Sequence, residues 1–137
     1  MQLNKSLKTL LILEELMVFV GSVILFALAT SYSWWIYALL FFLPDISFLG
    51  YAINSKTGSI FYNLLHHKGA MVLLILGGYF AEIESVLAVG IVFLSHSAFD
   101  RIFGYGLKFS DDFKHTHLGW LNASEEVKYQ DEFLNEG

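Results

Sequence analysis

A chain of 137 residues has room for one domain. Hydrophobic residues make up 55% of it and charged residues only 15%, with a mean hydropathy of +0.56; an ordinary soluble domain needs more charged surface than that. The net charge of −5 comes without any basic stripe, so nothing points to a nucleic-acid partner, and the absence of cysteine removes disulfides and thiolate ligands, leaving nitrogen and oxygen donors for any metal.

The first apolar block, residues 7–29, follows Lys5 and Lys8 and contains Glu14 and Glu15. Ala27-Leu28-Ala29 has the look of a signal-peptidase site, but the stretch is too long for an ordinary secretory core and carries two glutamates, so a retained first helix is expected. The second block, 35–53, contains Pro44 and Asp45. Proline removes a backbone donor and should kink or loosen the helix just before Asp45, a fault tolerable in a membrane only against protein or water. Asn54-Ser55-Lys56-Thr57-Gly58 reads as a polar turn. The third block, 59–80, carries Asn63, His66 and His67; the fourth, 86–103, carries His96 and Asp100 at i, i+4 spacing. Each block has roughly the 20 residues that cross about 30 Å of hydrocarbon. The expected fold is therefore all-α: a four-helix transmembrane bundle within a single domain, 1–121, followed by an acidic tail, 122–137.

Lysine and arginine fall at Lys5 and Lys8, at Lys56, and at Arg101, Lys108 and Lys114, with Lys68 placed to snorkel to the same side, whereas the loops near 30–33 and 81–85 carry none. The positive-inside rule then places both termini in the cytoplasm, with Tyr32, Trp34, Trp35 and Tyr37 as an outer aromatic belt. In that orientation Glu14, Asp45, His66, His96 and Asp100 all lie in one layer near the inner face. Ionisable groups at such depth are costly and read as functional by default. Beyond the fourth block, the glycines of Gly104-Tyr105-Gly106-Leu107-Lys108 permit a sharp turn, and residues 113–120 mix aromatics, histidines and lysine as an interfacial segment does. From about residue 104 the chain is expected to fold back under the bundle and present His115 or His117 to the layer.

Oxygen donors and imidazoles gathered in this way suit zinc, iron or manganese. The other readings are a hydrogen-bonded structural or proton-handling network in a non-enzymatic membrane protein, and a haem protein with His66 and His96 as axial ligands.

Leu10-Leu11-Ile12-Leu13-Glu14, Leu43-Pro44-Asp45 through Leu49-Gly50-Tyr51, Tyr62-Asn63-Leu64-Leu65-His66, His96 through Phe99-Asp100-Arg101, Gly104-Tyr105-Gly106-Leu107-Lys108 and Thr116-His117-Leu118 together resemble a family of small bacterial membrane proteins, domain of unknown function 4260. The resemblance implies an integral membrane protein of the bacterial inner membrane and no established activity. It selects Glu14 over Glu15, His66 over His67 and His117 over His115. Leu-Pro-Asp and Thr-His are also faintly similar to elements of membrane-bound metal-dependent hydrolases.

The expectation that follows is a metal-dependent membrane enzyme, a hydrolase of a lipid or amphipathic substrate at the cytoplasmic face. Asp45, His66, His96 and His117 would hold a divalent transition metal. Glu14 and Asp100 would do the acid–base chemistry. Arg101, Lys108 and Asn63 would bind substrate, the cations by charge-assisted hydrogen bonds to an anionic headgroup.

Overall fold

The computed structural model describes residues 4–122, 124, 126–128 and 131, so most of the acidic tail lies outside the described residues. Helix α1 (Lys5–Ala29) starts at Asn4, whose side chain accepts from the Ser6 amide at 3.1 Å, and closes with the Thr30 hydroxyl on the Phe26 carbonyl. Helix α2 (Trp34–Phe42) does not continue through Pro44: the chain tightens into a 3-10 helix, Leu43–Ala52. With period three, Pro44, Ser47 and Gly50 form its buried face.

Asn54 caps α3 (Ser55–Leu65), its side chain accepting from the Thr57 amide at 2.8 Å. The third apolar block is not one straight helix. It breaks at the histidine pair: His66 ends α3, and His67 caps α4 (Lys68–Phe80) by accepting from the Ala70 amide at 3.1 Å, with a 43° bend between the two helices. Helix α5 (Glu84–Ile102) follows a turn that holds Glu82 at φ 58.

Helix α5 is the hub, packed by α1, α2 and α4, while α3 pairs with the 3-10 helix. Phe26, Leu87, Ala88, Ile91 and Val92 form the core, backed by Tyr37, Leu40, Phe41 and Ile75. Small residues let α4 and α5 touch backbone to backbone: a Cβ at Gly78 would lie 2.4 Å from the Leu87 amide nitrogen. The outer helices turn large apolar side chains outward, among them Leu28 and Trp35 (each 81% exposed) and Leu73 (72%). In water so much exposed hydrocarbon would drive aggregation; against lipid it is the expected surface. Helix α1, the run from α2 through the 3-10 helix, and α5 are each long and apolar enough to cross a bilayer, and the α3–α4 pair, bent by 43°, is a broken span or a re-entrant loop. The protein is a helical membrane bundle.

After α5 the chain turns back. Gly104 adopts φ 86, and the Tyr105 amide returns to the Asp100 carbonyl at 2.9 Å. Strands β1 (His115–Thr116) and β2 (Gly119–Trp120) then form a small antiparallel ribbon, reversed at Gly119 with φ 112, and Thr116 bridges to Lys108. The ribbon is the one element that the all-α expectation lacks.

Candidate metal centre

Both interruptions of helical geometry deliver a polar group to the same place. Asp45 sits two residues into the 3-10 helix and His66 at the α3–α4 break, and both face His96 of α5. One ligand atom from each of Asp45, His66 and His96 lies within 4.8 Å of the others. The two imidazole Nε2 atoms are 3.1 Å apart, and Asp45 Oδ1 is 3.3 Å from that of His96. Asp100, one turn beyond His96, places Oδ2 at 3.3 Å from His66 Nε2 and 3.7 Å from His96 Nε2.

These separations can be compared with a coordination polyhedron. Metal–ligand bonds of about 2.0–2.2 Å at tetrahedral angles put neighbouring donor atoms about 3.3–3.6 Å apart. Within the Asp45–His66–His96 group, the edges of 3.1 and 3.3 Å to His96 lie close to that length, and the third lies within 4.8 Å. The tautomer of His66 also suits a ligand: its Nδ1 lies 2.8 Å from the Tyr62 carbonyl, which can only accept, so the proton is on Nδ1 and the Nε2 lone pair faces the group. Among the described residues, His96 Nδ1 is buried without a hydrogen-bond partner. His66 and His96 are 0% and 3% exposed; the Asp45 side chain is 40% exposed and forms the open edge.

A residue without its own place in the sequence expectations organises this geometry. Tyr62, 1% exposed, stacks its ring on His66 at 3.8 Å, offers its carbonyl to His66 Nδ1, and donates its hydroxyl to Asp100 Oδ2 at 3.0 Å. Ser97 secures the break itself, donating at 2.8 Å to the His66 carbonyl that the interrupted helix leaves free. Tyr62 and His66 at i, i+4, with His96 and Asp100 at i, i+4 on the facing helix, were a legible signal for the tyrosine.

Other expected site residues stand elsewhere. Glu14 lies on the exposed side of α1, outside the group; Glu15 faces inward and pairs with Lys68. The reason is periodic: Glu15, Phe19, Ser22 and Phe26 follow 4-3-4 spacing, and Ser22 and Phe26 are the buried positions of α1. His117 is also outside the group. Its Nδ1 accepts from the Leu107 amide at 2.8 Å, so the ring serves the turn of the fold-back segment. Partial burial, then the charge of Arg101, hold the His117 imidazole below the ordinary histidine range.

Asn63 and Lys108 bind each other: Asn63 donates to the Lys108 carbonyl at 2.8 Å and accepts from its amide at 2.7 Å, a side-chain imitation of a strand pair. The Lys108 ammonium is buried over the Phe113 and Tyr62 rings, 3.8 and 4.8 Å from their centroids, and donates to the Phe113 carbonyl. Burial brings its pKa down to about 8, against the opposing pull of Asp100. Both residues therefore clamp the fold-back segment to α3, which differs from the substrate contacts expected of them. Arg101, 9% exposed, donates to the Tyr105 carbonyl at 2.5 Å.

No curated protein and no solved structure matches the chain. A family model does, over residues 8–121, which takes in all but the first three residues of α1, every later helix and the ribbon; the chain belongs to the family described as domain of unknown function (DUF4260).

Proposed function

We propose that the protein is a metal-dependent membrane enzyme, with Asp45, His66 and His96 holding one divalent zinc, iron or manganese ion. The observation that carries this reading is the pair of buried Nε2 atoms 3.1 Å apart beside two carboxylates. Lone pairs and negative oxygens that converge in a buried site repel unless a cation or a shared proton sits among them. Three protein ligands with an exposed edge are the pattern of catalytic sites, which keep one position for water or substrate.

The chemistry best served is hydrolysis. The ion would lower the pKa of a bound water towards neutrality. Asp100, outside the three-residue set but within reach of both imidazoles, would accept a proton from the water that attacks an ester or phosphoryl centre and later return it to the leaving oxygen. The leaving oxygen departs with the electron pair of the broken bond and takes the proton back. The lysine and arginine distribution supports a reading with this end of the bundle at the cytoplasmic face of the inner membrane and both termini on that side, where an amphipathic substrate would reach the Asp45 edge from the lipid.

One observation favours a second reading. Tyr62, Asp100, His66, His96 and Asp45 form an unbroken chain with steps of 3.0–3.3 Å, which would also pass or share a proton. The haem reading is not carried forward: axial nitrogens on opposite sides of an iron stand about 4 Å apart, twice a metal–imidazole bond, whereas these are 3.1 Å apart.

Elemental analysis of detergent-purified protein separates the two. A metal centre gives near-stoichiometric transition metal that His66→Ala and His96→Ala each remove. A proton network gives protein free of metal, and the same substitutions destabilise the bundle without releasing any ion.

A further inference from the structure

Helix α1 carries a continuous stripe on its outer side. Leu10, Glu14, Met17, Gly21, Ile24 and Leu28 follow 4-3-4-3-4 spacing, and all six are exposed. They lie away from Ser22 and Phe26, the buried positions of the helix, so in a bilayer they face hydrocarbon. From Leu10 to Leu28 the stripe is about 27 Å long at 1.5 Å per residue, most of the membrane core.

Two of the six residues do not suit lipid. Glu14 lies about 14 Å along α1 from Lys5. Among the described residues it makes no hydrogen bond or ion pair. An ionisable group in contact with hydrocarbon is costly and calls for a partner. Snorkelling to the headgroups is the resort of the longer lysine and arginine stems. Gly21, two turns further on, weakens a helix relative to alanine. Nothing within the chain requires it: a Cβ there would meet no atom within 4 Å, whereas one at Gly78 would strike the Leu87 backbone. Bare backbone on an outer face serves close approach by another helix.

We propose that this stripe is the seam of a dimer with a second copy of this chain, packed α1 against α1. Copies in one membrane share an orientation, because the same lysine and arginine bias acts on each. A twofold axis along the membrane normal then brings every stripe residue to its own counterpart. Gly21 meets Gly21 where the backbones come closest. Glu14 meets Glu14, and the two carboxyls complement each other by sharing one proton, one group donating and the other accepting. Lipid tails offer neither donor nor acceptor. The 4-3 spacing is that of helices crossing at about 20°, so contact runs the length of the stripe. The dimer does not depend on the metal centre, whose residues lie on the 3-10 helix, at the α3–α4 break and on α5. Glu14 takes an interfacial role in place of the acid–base one expected from the sequence.

The test uses the full chain reconstituted in phosphatidylcholine vesicles. The chain has no cysteine, so single cysteines report proximity without background. Met17→Cys, in the seam, should give a disulfide-linked dimer under mild oxidation, whereas Leu73→Cys, lipid-facing on α4, should stay monomeric. Energy transfer between chains labelled at the N-terminus in two colours, followed as added lipid dilutes the protein, gives the dissociation constant. Glu14→Leu should weaken the dimer about three- to thirty-fold, the range for a hydrogen bond between helices in a bilayer. Glu14→Gln, whose two amides can pair with each other, should keep most of the affinity. Gly21→Leu should weaken the dimer about ten-fold or more, while Gly77→Leu, at an open glycine on α4, should leave it unchanged. Equal cross-linking of the two cysteine variants, or energy transfer no greater than random proximity gives, means that lipid covers the stripe and overturns the dimer. A dimer indifferent to both Glu14→Leu and Gly21→Leu uses another face and overturns the seam.

Discussion

Replacing Tyr62 by phenylalanine removes one oxygen from the chain and nothing else. The ring still stacks on His66, and the backbone carbonyl still fixes its tautomer. What is lost is the 3.0 Å hydrogen bond to Asp100 Oδ2, the oxygen that faces both imidazoles. A hydrogen bond to a charged group contributes about 1.5–3 kcal/mol. By a separate route, removing a partner that orients the groups around a metal weakens its binding about 10–100-fold, or about 1.4–2.8 kcal/mol. The two estimates coincide, so Tyr62→Phe should weaken zinc binding by one to two orders of magnitude. A competition titration against a chromophoric chelator in detergent measures this directly, with thermal unfolding of the metal-free protein as control. Affinity within two-fold of the parent, in a folded variant, would refute the idea that Tyr62 sets the geometry. A fall in melting temperature with unchanged zinc affinity would reduce the tyrosine to a packing residue.

Adjacent glycines on α4 should respond oppositely to alanine. Gly78→Ala drives a Cβ into the Leu87 backbone and should cost about 1–3 kcal/mol in a denaturation curve, whereas Gly77 has nothing within 4 Å and its alanine variant should be neutral or up to about 1 kcal/mol more stable. Asn63→Ala deletes both hydrogen bonds to Lys108 and should increase proteolytic cleavage within residues 104–121 while α5 stays protected; unchanged cleavage would mean that the rings hold the segment without the amide. Lys108 has a folded pKa of about 8, below the roughly 10.4 of an exposed lysine. The unfolded form binds more protons between those values, so docking of the segment should tighten as pH rises from about 8 towards 10.4 and be flat below. Trp120 fluorescence would follow it, and Lys108→Met should abolish the slope.

The helical membrane bundle was legible because each apolar block is membrane-length and separated by a short turn, whereas the bend in the third block was not. The site was legible in part. Asp45, His66 and His96 were recoverable because alternately directed helices place groups at equal distance from one face at equal depth, and the i, i+4 pair on α5 fixed the side of that helix. Pro44 announced the irregular stretch at Asp45. Nothing comparable marked the α3–α4 break: the capping group is His67, an uncommon N-cap whose side chain reads as a ligand or a snorkelling group. Glu14 was chosen over Glu15 on family resemblance, although the 4-3-4 stripe from Glu15 to Phe26 pointed the other way. His117 was expected at the candidate metal group because a fold-back segment was foreseen while its internal pairing was not. Two-residue strands carry too little periodicity to show in a sequence, and it is their register, with Thr116 against Lys108, that turns the His117 ring to the Leu107 amide.

X-ray absorption at the metal edge of the purified protein tests the central claim most directly. An ion held by His66, His96 and Asp45 gives a shell of nitrogen and oxygen scatterers at about 2.0–2.2 Å with the multiple-scattering signature of two imidazoles, a signal lost with the ion in His96→Ala. A shell of oxygen alone, with no imidazole signature and no change in that variant, would contradict it.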